Sequence, residues 1–134
     1  MDVNLGKWYR AEIDKKQFKE LCKKSDWQGF KHMLIYFTAL FVSGYLAYAT
    51  WGTWWCVLFF FIYGNIWGCS DALWHETGHR TAFKSKFWND FFYYIAGFMD
   101  NFEPIRWRYS HFHHHSYTIF NDPYDFEILV KKPT

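Results

Sequence analysis

The sequence predicts an all-α integral membrane protein: a two-span helical hairpin, followed by an interfacial helix and a cytoplasmic histidine-bearing helix. Three observations carry that expectation. From residue 32 to residue 70 there is no Asp, Glu, Lys or Arg, and a spanning helix needs about 20 mostly apolar residues, so the run holds two spans and a tight turn. The aromatic share is 26%; Trp and Tyr gather at membrane-water boundaries and Phe fills the hydrocarbon. Basic residues crowd one flank, with Lys7, Arg10, Lys15, Lys16, Lys19, Lys23, Lys24 and Lys31 ahead of the first span and no charge in the turn. The mean hydropathy of -0.29 averages a polar and an apolar region and describes neither. A buried hairpin in a soluble protein is the competing reading, but 134 residues leave little chain to cover two such helices.

Residues 1–29 read as a polar cytoplasmic segment in which Trp8, Ile13, Phe18, Leu21 and Trp27 are spaced either for a short helix on the lipid headgroups or for a solvated tail. No apolar core of a cleavable signal peptide is visible there. Residues 30–73 read as the hairpin, with spans near Met33 to Ala49 and Trp54 to Leu73 and Thr50-Trp51-Gly52-Thr53 as the turn. Because the basic flank stays in the cytoplasm, two spans return the chain to that side. Residues 74–134 then form a cytoplasmic histidine-bearing region. Within it, Phe87 to Met99 is apolar but too short to cross, which suits an interfacial or re-entrant helix. Asn101 or Glu103 is placed to cap a further helix from about Pro104 to Tyr117, and Asn121-Asp122-Pro123 ends it. The formal charge of +2 gives no argument for nucleic acid as a partner. Cys22, Cys56 and Cys69 offer no disulfide framework, since Cys56 and Cys69 lie about 20 Å apart along one span.

The chemistry lies in two histidine clusters, His75-Glu76-Thr77-Gly78-His79 and His111-Phe112-His113-His114-His115. Positions i, i+3 and i+4 of a helix share a face, so His75 pairs with His79, and His111 with His114 and His115. His113 points elsewhere and reads as solvated or substrate-facing. Five converging imidazoles imply metal, and they exceed what one tetrahedral zinc takes from a protein, so more than one ion is expected. Asp71, one turn before His75, is placed either to orient that imidazole or simply to charge a helix end.

HETGH also matches the HExxH pattern of zinc proteases, in which two histidines bind zinc and the Glu is the general base. Such a protease has no use for a histidine triplet on another helix. Together, "DALWHETGHRTAF" and "RWRYSHFHHHSYT" resemble the first and second histidine boxes of the membrane fatty-acid desaturase and hydroxylase superfamily, and "NDPYDFEI" resembles the acidic run that follows. The likeness covers roughly Asp71 to Ile128.

That resemblance implies a non-haem centre of two iron ions that activates oxygen and attacks an unactivated C–H bond of a fatty acyl chain in the membrane. It implies His75, His79, His111, His114 and His115 as iron ligands, and a reduced ferredoxin or b-type cytochrome as electron donor. The family also carries a third box far downstream. No histidine follows His115 here, so the expectation is an amino-terminal part of a longer desaturase, incomplete and inactive by itself. The alternatives are a membrane zinc metalloprotease or, if the native chain stops at Thr134, a non-catalytic metal-binding membrane protein.

Overall fold

The structure, a computed structural model, describes residues 12–117, and among these it contains helices and no strand. The order is α1 (Lys15–Leu21), α2 (Asp26–Ala49), α3 (Trp54–Gly68), α4 (Ser70–Gly78), α5 (Lys86–Met99) and α6 (Pro104–Tyr117). Asp14 starts α1 by accepting from the backbone N–H groups of Lys16 and Gln17 at 2.9 and 2.8 Å, which satisfies two of the orphan donors at a helix start. Ile13, Phe18, Leu21 and Trp27 are all exposed around it. Trp8, Asn121-Asp122-Pro123 and the segment from there to Thr134 lie outside the described residues.

The hairpin forms at the expected turn. Thr50 and Thr53 return their hydroxyls to the carbonyls of Leu46 and Thr50, each at 2.7 Å, and Gly52 takes φ +82°, a conformation that a side chain would strain. Asp26–Ala49 and Trp54–Gly78 are long and apolar enough to cross a membrane. Only 22% of the most apolar stretch of the first and 6% of that of the second is buried, where the core helix of a soluble protein would be mostly covered. α3 buries no residue at all and presents Trp54, Trp55, Val57, Phe60 and Phe61 outward. Such a surface suits hydrocarbon and not water.

Two details differ from the sequence reading. α2, which holds the first expected span, starts at Asp26, seven residues before Met33, because its opening turns pack on protein. Asp26 accepts from the Ser85 backbone at 2.7 Å, and the Phe30 ring meets Phe83 and Trp88 edge-on at 5.2 and 4.9 Å. The second expected span is interrupted at Cys69, where α3 ends and α4 carries the chain on to the first histidine cluster.

α5 carries apolar residues on both of its faces. Asn89, Phe92, Tyr93, Ala96 and Gly97 are buried toward the protein, while Phe87, Phe91, Tyr94 and Phe98 remain exposed on the opposite side. Its buried face closes two small cores, one of Met33, Phe83 and Phe92 and one of Trp74, Tyr93 and Ala96. Asn89 fastens the preceding loop, accepting from Phe83 N–H at 3.1 Å and donating to the carbonyls of Phe83 and Ser85 at 2.9 and 2.8 Å. The far end of α5 docks on the break between α3 and α4. There the Trp67 indole donates to Met99 at 3.2 Å and the Ser70 hydroxyl reaches Asp100 at 2.5 Å.

Both α4 and α5 end in the same way. In each, a residue in the left-handed region follows the cap, Arg80 and Asn101 each with φ 57°, and the next N–H reaches back across the last turn, from Thr81 to Glu76 at 3.1 Å and from Phe102 to Gly97 at 2.9 Å. This closure satisfies terminal carbonyls. Of the two residues expected to cap α6, Glu103 does so, accepting from Ile105 and Arg106 N–H at 3.1 and 2.6 Å. Asn101 instead ends α5.

Candidate metal centre

The first cluster is divided among three surroundings by the helical period. Thr77 and Gly78 turn into the core and are buried; the Thr77 hydroxyl bonds to the Leu73 carbonyl at 2.7 Å. Glu76 lines a groove with Gly29, His32, Met33, Tyr36 and Leu73, and its carboxylate accepts from the Thr81 hydroxyl at 2.7 Å. His75 and His79, four apart, face α6. Asp71 is exposed in the first turn of α4, where a negative charge suits the helix dipole.

α6 brings His111 and His115 to meet them. His111 Nε2 lies 2.9 Å from His75 Nε2, 3.0 Å from His79 Nε2 and 2.9 Å from His115 Nε2. A neutral imidazole has one donor and one acceptor nitrogen, so a single Nε2 makes one hydrogen bond and not three. Neutral rings alone therefore leave this packing unsatisfied. A shared cation would relieve it, because a nitrogen lone pair that cannot face another lone pair can face a metal ion. About 3 Å is the separation of two nitrogens roughly 2.1 Å from a common ion and at right angles to one another. The four donor atoms all lie within 4.8 Å of one another, with His75 and His79 half-buried, His111 buried and His115 exposed.

Burial holds the His79 pKa below its ordinary value, and the neighbouring His75, His111 and His115 push it the same way. That favours the neutral imidazole, the form that binds metal. The donor set of four imidazoles fits iron, zinc or copper.

Of the five histidines singled out from sequence, the structure gathers His75, His79, His111 and His115 into this group. His114 stands beside it, its ring centroid 5.8 Å from those of both His111 and His115. His113 lies on another face of α6, along a groove with Ile105, Arg106, Tyr109 and Ser110.

Two residues that support the site escape the sequence reading. Trp107 stacks on His111 with ring centroids 4.3 Å apart and planes 11° from parallel, while its other neighbours include Trp74 at 3.7 Å and Tyr93 at 6.2 Å. It lies four residues before His111, so helical spacing alone places both on one face. Arg108 belongs by sequence to a cation-rich run, yet it stacks over the Tyr93 ring at 4.1 Å and bonds to Asp90. Burial pushes the Tyr93 pKa up to about 12, so its hydroxyl keeps its proton and donates to the Pro104 carbonyl at the start of α6.

A family model described as fatty acid desaturase matches residues 50–133, more than half of the chain. No curated protein and no solved structure matches.

Proposed function

The chain belongs to the fatty acid desaturase family, and from that premise we propose that it serves as the amino-terminal part of an oxygen-dependent desaturase or hydroxylase of membrane fatty acyl chains. The observation that carries the reading is the convergence of three imidazole nitrogens on His111 Nε2, from two helices that continue or adjoin a membrane hairpin. His75, His79, His111 and His115 would hold one iron ion, and His114, next to them, would contribute to a second. Bound iron would supply the activation of oxygen, which this chain's own side chains cannot provide.

The residues themselves do the rest. Thr77, Gly78 and Trp107 pack behind the ligands and keep water from the buried side, while the exposed apolar faces of α3 and α5 keep the centre within reach of an acyl chain. Desaturation removes two hydrogens from adjacent carbons; with O2 and two electrons and two protons supplied from outside, two waters form. A reduced ferredoxin or b-type cytochrome is the proposed electron source.

Iron measured in the detergent-purified protein should exceed zinc. In the complete protein, Glu76→Gln should lower lipid oxidation only partly, by no more than about tenfold, because its carboxylate bonds to Thr81. Zinc in place of iron, with a peptide-cleaving activity that Glu76→Gln eliminates, would install the protease reading instead.

We propose further that the amino end and both histidine clusters face the cytoplasm, on the strength of the basic flank and the charge-free turn. In a variant with Cys22, Cys56 and Cys69 replaced by serine, a cysteine at Thr53 should react with an impermeant reagent added outside the cell, and one at His113 should not. The reverse pattern would invert the topology.

A further inference from the structure

We infer that Asp90 is a positioning residue for the metal centre, a single carboxylate on α5 that clasps the two histidine-bearing helices and sets the distance between their ligands. This rests on the metal centre proposed above. Asp90 Oδ1 accepts from Arg80 Nε at 3.0 Å and from Arg108 Nη2 at 2.9 Å, and Oδ2 accepts from Arg80 Nη2 at 3.0 Å. Arg80 directly follows His79 in the chain. Arg108 precedes His111 by three residues, so it shares that side of α6. Each cluster therefore has one arginine adjoining it, and both arginines end on the same carboxylate.

The backbone at Arg80 points the same way. It occupies the left-handed position after α4, φ 57°, where glycine is the usual residue and a long side chain is strained. An arginine there loses backbone freedom and gains the bidentate pair with Asp90, whose planar fork a lysine could not reproduce. The pair is partly buried, with side-chain exposures of 39% for Arg80, 28% for Asp90 and 23% for Arg108, so it is screened less than a surface pair. Burial works to raise the Asp90 pKa, but the two guanidiniums outweigh it and hold the group below its ordinary range. The carboxylate is charged at neutral pH.

α6 needs such a tether. Among the described residues, and apart from contacts between histidines, it meets the other helices through the Trp107 stack, the Tyr93 hydroxyl, the Phe112 ring beside His79, and Arg108. Partners that orient metal ligands are typically worth about ten- to a hundredfold in affinity. Here the orientation acts on whole helices, through residues adjoining His79 and His111.

The test uses Co2+ as a probe, titrated into the detergent-purified full chain and followed by its visible d–d absorption, with helix content recorded by circular dichroism. Asp90→Asn should weaken Co2+ binding by about ten- to a hundredfold and change the shape of the d–d band while helix content stays parental. Asp90→Glu, which restores the charge, should recover much of the affinity. Parental affinity and spectrum in Asp90→Asn overturn the clasp. Should Asp90→Asn lose helix content, Arg80→Lys carries the test, since it keeps the charge but gives up the bidentate geometry; parental affinity in that variant overturns the clasp as well. A parental chain that takes up Co2+ no better than His111→Ala refutes the metal centre itself, and the clasp with it.

Discussion

His111→Ala is expected to abolish metal retention, with affinity falling by more than the roughly hundredfold that loss of a ligand-orienting group costs. The reason is its place in the centre. The Nε2 atoms of His75, His79 and His115 lie 2.9, 3.0 and 2.9 Å from the His111 Nε2, so removing this one ring deletes the nitrogen that the other three share as neighbour. His111 is also the buried member of the group, and its loss opens a cavity between Trp107 and the first cluster that water can enter. His113→Ala, on another face of the same helix, should retain metal at the parental level. Metal content of the purified variants by mass spectrometry decides the matter. Equal loss at His111 and His113 would mean that α6 does not present its histidines with a regular helical period.

Much of this arrangement is legible in the sequence because its signals are local. The absence of charge from residue 32 to residue 70 marks the hairpin, Thr50-Trp51-Gly52-Thr53 marks its turn, and Pro104 opens α6. Helical spacing alone pairs His75 with His79 and His111 with His115. The break at Cys69 is not legible, since an apolar run carries no periodic mark of where one helix stops and the next begins. Nor is the early start at Asp26, which depends on contacts with Phe83, Ser85 and Trp88, all far along the chain. Arg108 resembles surface charge because its partner, Asp90, lies on another helix. Trp107 carries a usable signal, four residues before a ligand on the same face, but one tryptophan among nine draws no notice by composition.

Trp107→Ala is expected to cost about 3 kcal/mol of stability, the low end for truncating a core tryptophan, since the ring is only half-buried. It should also weaken metal binding. The indole fills the space between α4, α5 and α6. It lies 3.7 Å from the Trp74 ring, and a Cβ on Gly78 would come within 3.0 Å of its edge and of Tyr93. The glycine inside HETGH is thus the residue that lets the indole approach the helix of the first cluster. On its other side the indole supports the flat of the His111 imidazole, so alanine both hollows the second core and frees His111 to rotate. Trp107→Phe keeps an aromatic face and should recover most of the metal affinity while restoring only part of the stability. Thermal unfolding of the detergent-solubilised protein, with Co2+ titration below the transition, separates the two effects. If the alanine variant melts lower yet binds Co2+ at parental affinity, the indole only fills volume. If binding falls in alanine and returns in phenylalanine, the stacked ring holds His111 in the orientation the centre requires.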